Sequence, residues 1–450
     1  MFELYTLLIA GIVIGSVWWG MAAANDTLHP LVYLMPMAGF FYVYMAVDLY
    51  IGGGLLEYFS RSEIVYVQGF NLTCVAALAA GCAWGGQRLR RDPSRIDLFS
   101  FEADASDRRL MLQIGIVLGV VALGAYLYQI VNVGGFYAAY NNPKGGGWAA
   151  SGYIRDVDML AVPAIVLVYL GRGEDTLAAR HRLLVGALSV PLLVHGLLSA
   201  RRGPTFLALA TLVAGWYLVR RRRPSVPKVA IGGLAFGLLL LALVTYRGQI
   251  YLGSRFLTGD APAATEIVEQ SLERSTQSTF ANEYMYGTYV VINARDRVGH
   301  YWGKRYFTQI FVRPIPSSLW PNKYEDVGME ALKVNAGQLG TANREEHPLI
   351  PKGSAPGFAG SAYVEWGWAA PLFLFLLGGG YGTVWRKSLV RGGLWTVLYT
   401  ILLSVSAYFI AQSFLAVLYR LLLISIPPVV LWHILKSGLR PKASRRSVPA

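Results

Sequence analysis

The side chains of this 450-residue chain that could carry chemistry are mainly arginines placed next to long apolar stretches. A guanidinium group is a planar fork of donors that can bind two phosphate oxygens at once. Arginines grouped at a membrane boundary therefore predict a site for a phosphate or pyrophosphate group on a lipid. The cationic residues that we assign to substrate binding at this site are Arg201, Arg202, Arg247, Arg313, Lys323 and Arg420.

Each of these arginines also has an ordinary interpretation, because a long cationic side chain beside a bilayer can extend to the head-group phosphates. Their grouping favours a dedicated anion site. Arg201 and Arg202 lie in a predicted tight turn between two apolar stretches. Arg247 ends the next apolar stretch, and Arg420 lies at the outer end of the last one.

Arg313 opens a segment rich in proline that ends at Lys323 and reads Arg-Pro-Ile-Pro-Ser-Ser-Leu-Trp-Pro-Asn-Lys. Proline prevents a long helix here, and we expect a rigid lid that excludes water from a reacting centre, with Trp320 touching the substrate. A second motif, 357–367, reads Gly-Phe-Ala-Gly-Ser-Ala-Tyr-Val-Glu-Trp-Gly and opens an apolar stretch. Its Tyr363 is a further predicted substrate contact.

The elements that must position these residues are membrane helices. The chain is 54% hydrophobic and only 15% charged, whereas soluble domains are about one quarter charged. Its apolar runs are long enough to cross a hydrocarbon core of about 30 Å as helices. The sequence predicts an all-α polytopic protein with eleven spans, at 4–21, 30–48, 65–85, 110–132, 157–171, 183–199, 205–219, 229–246, 367–385, 394–417 and 421–436.

The distribution of Lys and Arg predicts the orientation of these spans. One set of connections carries 22 of these cations and the short connections of the opposite set carry six. The richer face is therefore expected in the cytoplasm, with the C-terminus inside and the interval 247–366 outside. We expect four regions: a bundle of eight helices at 1–246, an extracytoplasmic loop domain at 247–366, three helices at 367–436 and a basic cytoplasmic tail at 437–450.

Within the loop domain, the pattern predicts a helix over 262–297 and irregular chain over 298–366, where six prolines are spread. The net charge of +14 is explained by the cytoplasmic bias and by attraction to anionic lipids. No spacing typical of a zinc site or a nucleic-acid-binding module accompanies that charge, so we expect membrane lipid as a partner and no nucleic acid. Cys74 and Cys82 share one apolar stretch and are expected to be inert packing residues.

The order of these features resembles a known family. A long apolar N-terminal half, an outer Arg-Gly turn, an arginine ending the following stretch, the segment ending at Lys323 and the motif 357–367 are similar to the Wzy-type O-antigen and capsule oligosaccharide repeat-unit polymerases. The similarity in topology extends over about 30–436, and the specific motifs occupy only a small part of that range. Relatives often have an acidic residue near Ser361, whereas here the nearest carboxylate is Glu365.

The resemblance implies transfer of a growing glycan from undecaprenyl pyrophosphate to an incoming lipid-linked repeat unit, by a GT-C-like enzyme at the periplasmic face of the bacterial inner membrane. Arginines would stabilise the pyrophosphate as it leaves, so we expect no metal and no cofactor. A chain-length regulator and a flippase are the protein partners that the resemblance implies.

The acceptor hydroxyl needs a base on the opposite side of the anomeric carbon. Our catalytic candidates are His347, Glu365 and Glu283, with Glu345 and Glu346 as further carboxylates. Neutral imidazole is a competent base near pH 7, although an isolated loop histidine is more often simply solvated. His300 is a weaker candidate, and His195, within a span, is expected to hydrogen bond between helices.

Two other classes share parts of this pattern. An O-antigen ligase has the same architecture but transfers glycan to lipid A-core, and only the segment ending at Lys323 favours the polymerase. A lipid-linked glycan transporter would place ionisable residues along a path through the spans. Here the spans are nearly free of them, with Asp48 and Asp158 near span ends and His195 deeper.

Overall fold

The structure is a computed structural model, and every regular element in the part of the chain that it describes is a helix. The described ranges are 1–22, 24–87, 105–140, 156–172, 179–198, 202–220, 222–249, 283–316, 318–329 and 355–439. Helices are the expected form for apolar chain in lipid, because a helix satisfies its own backbone hydrogen bonds where no water is present.

The longer helices are numbered here in chain order. They are α1 (Phe2–Ala22), α2 (Pro30–Ile51), α3 (Arg61–Gln87), α4 (Ala105–Asn132), α5 (Ala161–Arg172), α6 (Ala179–Leu198), α7 (Arg202–Val219), α8 (Val226–Gln249), α9 (Glu283–Asn293), α10 (Gly357–Trp366), α11 (Ala370–Val390), α12 (Leu394–Ala411) and α13 (Phe414–Leu439). A π-helical turn at Phe40–Tyr44 interrupts α2.

Within the described residues, eight helical stretches are long and apolar enough to cross a membrane. They are Phe2–Ala22, Pro30–Ile51, Arg61–Gln87, Ala105–Asn132, Ala179–Leu198, Gly357–Val390, Leu394–Ala411 and Phe414–Ser437. Two shorter apolar helices are Gly203–Val219 and Val226–Leu239. The chain is therefore a polytopic helical membrane protein, as predicted.

Each of the eleven predicted spans overlaps a helix, but the number of crossings is not confirmed. Helix α5 has 12 residues and is about 18 Å long, and a 3₁₀ stretch over 156–160 precedes it directly, so the continuous helical segment 156–172 is at the lower limit for a span of about 30 Å. It is buried throughout Ala161–Leu170, so it is a core helix enclosed by its neighbours. The predicted span 394–417 is two elements, since α12 ends at Ala411 and α13 begins at Phe414.

Helices α3 and α11 make the closest helix contact that the described residues show, and glycines allow it. A Cβ atom on Gly81 or Gly85 would lie 2.1 Å from a backbone oxygen of α11. A Cβ on Gly378 or Gly382 would come within 2.4 Å and 2.2 Å of carbonyl oxygens of α3. Small residues commonly permit such contact in membranes.

Other pairs of glycines four residues apart differ in their surroundings. Those of α4 lie at contacts, since a Cβ on Gly119 would meet Leu188 Cδ2 at 2.4 Å. The pairs Gly11 and Gly15, and Gly233 and Gly237, have no atom within 4 Å of the position that a Cβ would occupy.

Contacts between connections sort them into two faces. On one face, Arg223 Nε lies 2.5 Å from Asp26 Oδ1 and Trp385 Nε1 donates to Asp26 Oδ2 at 2.8 Å. On the same face Lys436 pairs with Asp107 at 2.8 Å. These are connections that the Lys and Arg count assigns to a common side. On the other face the segment 295–329 contacts the first turn of α3, the last turn of α10 and the first two turns of α13.

The segment predicted to be irregular, 298–366, contains helix, so that prediction is wrong in part. Short helices occur at Lys304–Phe307 and Lys323–Asp326, a π-helical turn at Thr308–Val312, and α10 covers its end. Helix α10 forms because 357–366 has no proline and its small residues fit closely against α9, where Gly360 lies beside Gly287. The predicted helix 262–297 is seen as α9 and a π-helical turn to Val298; 262–282 lie outside the described residues.

Candidate functional site

Arg313 and Arg420 both lie by the first two turns of α13. The π-helical turn Thr308–Val312 carries the chain to Arg313, whose amide donates to Thr308 O at 2.8 Å. The Arg313 guanidinium lies over the ring of Tyr419 with 5.0 Å from Cζ to the ring centroid. Tyr419 precedes Arg420 in the first two turns of α13, so the two cations belong to one region.

Arg420 is held by its own helix and by α12. Its Nη1 donates to Ala416 O at 3.1 Å, and its Cζ lies 4.6 Å from the ring centroid of Tyr408. Its Nε is buried and has no hydrogen-bond partner among the described residues. Desolvating a polar N–H without a partner is unfavourable, so this atom is a donor directed into a place where an acceptor is expected.

Tyr408 also joins this region to the start of α7. A Cβ atom on Gly203 would lie 1.6 Å from Tyr408 Oη, so only glycine allows the first turn of α7 to lie against this ring. The backbone of Arg202 begins α7 at that point. The start of α7 therefore lies near Arg420 through Tyr408. Arg201 lies outside the described residues, and the joint anion site of these arginines stays a prediction.

Lys323 binds the backbone of the segment 313–323 with its own side chain. Its side chain is buried, and its Nζ donates to the carbonyl oxygens of Arg313, at 3.1 Å, and of Ile315. Burial lowers the pKa of the Lys323 ammonium, and the nearby Arg313 charge lowers it further. Lys323 therefore fixes the backbone that carries Arg313 and adds its charge to the same region. We call Arg313, Lys323 and Arg420 the cationic cluster.

Trp320 folds onto the same segment. Its Nε1 donates to Asp326 Oδ2 at 2.5 Å, and its amide donates to Pro316 O at 3.1 Å. Lys323 and Asp326 therefore bind other parts of the same segment, while its rigidity stays a prediction. Contact of Trp320 with a substrate stays a prediction.

The cationic cluster differs from the other charged groups of the segment 295–329. Ion pairs of that segment join Arg295 to Glu63 and Asp296, and Arg305 to Glu365. No carboxylate of the described residues lies within 4 Å of the Arg313 or Arg420 guanidinium. The cluster therefore carries positive charge that an anion could neutralise.

Glu365, one of the predicted bases, is part of a buried ion pair. Its carboxylate is fully buried and accepts from Arg305 Nε and from the Gly303 amide, the latter at 3.0 Å. Arg305 Nη2 also donates to Ser361 O at 3.2 Å. Both carboxylate oxygens are used in holding the segment that begins at Tyr301, so the geometry favours an anchoring role over that of an accessible base.

The turn held by this anchor presents Trp302. The Tyr301 amide donates to Val364 O at 3.0 Å and the Trp302 amide to Glu365 O at 2.7 Å. Trp302 has a φ of 52°, and its side chain is 64% exposed. A left-handed backbone at a bulky residue is unfavourable by about 1–2 kcal/mol. The surrounding bonds impose it.

Tyr363, a predicted substrate contact, lies beside the turn that carries Trp302. Its side chain is buried, and its hydroxyl hydrogen bonds to that of Tyr66 at 2.7 Å. Trp368 Nε1 donates to the Tyr66 hydroxyl at 2.8 Å. The His300 ring lies 5.1 Å from that of Tyr363 and 5.9 Å from that of Trp302, measured between centroids. We call these five residues the aromatic surface.

Glu283, another predicted base, lines a separate small cleft. The cleft has a volume of about 10 Å³, which is about the room of one water molecule. Asn71 and Tyr284 also line it, and the Tyr284 hydroxyl donates to Gln68 Oε1 at 2.8 Å below it. None of its lining residues belongs to the cationic cluster.

The remaining candidates divide by what the structure describes. The described residues do not include His347, Glu345 and Glu346. The backbone of Arg247 belongs to α8, but its side chain is not among the described ones. His195 is buried, and its ring centroid lies 6.4 Å from that of Tyr140. Across the described ranges, no three His, Cys, Asp or Glu side chains are grouped so as to hold a metal ion.

Several residues of these sites were not predicted from sequence. The tertiary fold brings Arg305, Tyr408 and Tyr419 into contact with predicted residues. Their partners are Glu365, Arg420 and Arg313, in that order. The one local signal is a buried cation, since Arg305 stands between aromatic residues in Tyr-Trp-Gly-Lys-Arg-Tyr-Phe. A charged residue among aromatic ones requires a partner when it is buried.

No protein-family model matches the chain, and comparison with curated proteins and with solved structures gave no match. The fold and the site therefore define the class directly: a polytopic helical membrane protein with a cationic cluster and an aromatic surface on one face.

Proposed function

We propose that this chain is a membrane-embedded glycosyltransferase that joins undecaprenyl-pyrophosphate-linked oligosaccharide repeat units into a polysaccharide. The observation that supports it most is the cationic cluster, where Arg420 Nε is buried without a partner among the described residues and no described carboxylate pairs with Arg313. A pyrophosphate oxygen would satisfy that donor and neutralise the charge.

The proposed reaction uses the cluster to hold the leaving group. The bond between the anomeric carbon and the pyrophosphate oxygen breaks, and the pyrophosphate leaves with the electron pair. The acceptor hydroxyl forms the new bond to carbon and gives its proton to a base, for which His347 and Glu283 remain our candidates. Fixed guanidinium groups stabilise the charge that develops on the leaving oxygen, and burial strengthens that interaction.

The proposed setting is the periplasmic face of a bacterial inner membrane. The Lys and Arg distribution supports a cytoplasmic C-terminus and an outer position for the cluster, with eleven crossings in a GT-C-like arrangement. The proposed partners are the lipid-linked oligosaccharides, a chain-length regulator and a flippase.

The orientation is tested by labelling cysteine variants in intact cells with a membrane-impermeant maleimide. Ser62 and Ser225 are exposed and belong to connections on opposite faces. The native Cys74 and Cys82 are buried, so we expect little background. Ser62→Cys should be labelled from outside and Ser225→Cys only after permeabilisation. The reverse pattern would place the cluster in the cytoplasm and remove the proposal.

The function is tested with Arg420→Ala and Arg420→Lys, and with Arg61→Ala as a matched control on the same face, where Arg61 is exposed. Loss of one fixed charge donor lowers such a rate by about 10²–10³-fold. We expect Arg420→Ala to abolish polymer, Arg420→Lys to restore part of it because the fork is lost, and Arg61→Ala to have no effect.

The glycan profile of a deletion strain separates the possible enzymes. Single capped repeats support a polymerase, and accumulated lipid-linked polymer would instead identify a ligase. Equal polymer from Arg420→Ala and Arg61→Ala, at equal amounts of protein in the membrane, would show that Arg420 only contacts head groups.

A further inference from the structure

The aromatic surface presents a strained tryptophan to the outside. Trp302 has a φ of 52° and is 64% exposed, so burial of its ring does not offset the unfavourable backbone. The strain is imposed by the Trp302 amide bond to Glu365 O at 2.7 Å and by the bond from Gly303 to the Glu365 carboxylate. Strain that the surroundings enforce at an exposed side chain is a feature of binding sites.

A chain of ring contacts connects Trp302 to a second exposed indole. The rings follow in the order Trp302, His300, Tyr363, Tyr66 and Trp368, with centroid separations between 5.1 and 6.4 Å. Trp368 is 54% exposed. The surface therefore has an exposed indole at each end and smaller rings between them.

Polar atoms lie among these rings. The Tyr66 and Tyr363 hydroxyls hydrogen bond to each other at 2.7 Å, and Tyr66 accepts from Trp368 Nε1. His300 Nδ1 is buried and has no hydrogen-bond partner among the described residues. An exposed ring face beside a few fixed polar atoms is the usual composition of a small-molecule site, and it suits a sugar, which has both an apolar face and hydroxyl groups.

We infer that the aromatic surface is a carbohydrate-binding site that takes a sugar ring of a glycan, stacked on Trp302 and hydrogen-bonded to His300 and the Tyr66 hydroxyl. Only the identity of that glycan, as the acceptor repeat unit, rests on the proposed function. The Arg305–Glu365 ion pair then positions the site, because it fixes the turn that presents Trp302.

The alternative occupant of this surface is the bilayer, because tryptophans form interfacial belts. The charges beside the surface favour the sugar. The Arg295 guanidinium lies 4.8 Å from the Tyr66 ring centroid and pairs with Asp296 at 2.6 Å and with Glu63 at 3.9 Å. A guanidinium against the Tyr66 ring, paired with two carboxylates, places this surface in water instead of against acyl chains.

The test measures binding of a soluble, lipid-free repeat-unit oligosaccharide, released by mild acid from the polysaccharide of the source organism, to the purified full chain by titration calorimetry. Trp302→Ala should weaken binding at least tenfold. Trp302→Gly should weaken binding as much as Trp302→Ala does. Its melting temperature should be higher than that of Trp302→Ala, because glycine accepts positive φ without strain. Trp18→Ala is the matched control, since Trp18 is 66% exposed on α1.

Two results would overturn the inference: equal affinity of Trp302→Ala and Trp18→Ala, or no binding by the wild-type chain. A second readout uses fluorotryptophan NMR in nanodiscs that carry spin-labelled lipid. The sugar should shift the Trp302 signal. The spin-labelled lipid should broaden the signal of Trp18 and not that of Trp302. Broadening of the Trp302 signal as well would assign the surface to the membrane. Sugar binding that depends on Trp302, without polymerisation of lipid-linked units, would keep this inference and remove the proposed function.

Discussion

Arg305 and Glu365 form an ion pair inside the protein, with side chains 5% and 0% exposed and a separation of 60 positions in sequence. The pair joins the turn that carries Trp302 to the last part of α10. Burying two charges is unfavourable unless each is fully hydrogen-bonded, and here Gly303 and Ser361 supply the additional bonds. The pair therefore controls the local geometry of the turn at Trp302.

Removal of one partner of this ion pair should strongly lower the free energy of unfolding. Glu365→Leu or Arg305→Met leaves a buried charge without its counterion, which costs about 3–5 kcal/mol, whereas the double variant should recover much of that loss. Thermal unfolding of detergent-purified protein measures the effect. Asp296→Ala is the control, because Asp296 forms an exposed pair with Arg295, worth about 0–1 kcal/mol. Equal melting temperatures of Glu365→Leu and Asp296→Ala would contradict the anchoring role.

The contact between α3 and α11 gives a second stability prediction. A Cβ on Gly85 would lie 2.1 Å from Gly379 O, whereas one on Gly15 has no atom within 4 Å. Backbone atoms cannot move aside as a flexible side chain can, so Gly85→Ala should force the helices apart. Overpacking of this kind costs about 1–3 kcal/mol. The same substitution at Gly15 should leave the melting temperature unchanged, and equal melting temperatures for the two variants would show that the helices separate without loss.

The positions of the helices could be predicted from the sequence because long apolar runs have few alternatives in lipid. Their ends and breaks could not. The π-helical turn at Phe40–Tyr44 lies inside an unbroken apolar run, and the break between α12 and α13 falls at Gln412 and Ser413 in an otherwise apolar stretch. In each case tertiary packing, not local composition, fixes the backbone.

The candidate site shows the same limit. Arg313, Lys323 and Arg420 could be chosen because cations at an outer membrane boundary are unusual. Their partners could not be chosen, since Tyr408 and Tyr419 are ordinary aromatic residues in apolar helices. The sequence predicts Glu365 only as a base, and its pairing with Arg305 could not be predicted because the fold sets the position of Arg305.

The contact of Gly203 with Tyr408 gives a prediction for the site itself. A Cβ on Gly203 would lie 1.6 Å from Tyr408 Oη and 1.9 Å from its Cζ. Gly203→Ala should therefore displace the ring that lies over the Arg420 guanidinium. We expect lower polymer yield and a lower melting temperature. Adding Tyr408→Leu should restore the melting temperature and leave polymer yield low, because Arg420 has lost its stacking partner. Full activity of Gly203→Ala would show that this contact does not position Arg420.

The last prediction concerns the pH dependence of anion binding. Burial, and then the Arg313 charge, lower the pKa of Lys323 below its ordinary value of 10.5. In the window between the lowered pKa and 10.5, the unfolded chain binds more protons at this residue. Folding stability contributed by Lys323 therefore rises with pH across that window.

Affinity for an anion should fall across the same window, because the folded cluster loses the charge of Lys323. The measurement is the affinity of the purified chain for inorganic pyrophosphate as the pH is raised. Lys323→Arg should remove this fall, since a guanidinium stays charged, and Lys323→Met should bind weakly at every pH. Arg313→Ala should move the fall to higher pH, because the second cause of the lowered pKa is gone. Identical pH profiles for wild type and Lys323→Arg would show that Lys323 contributes no charge to the anion site and serves only to close the loop through the Arg313 and Ile315 carbonyls.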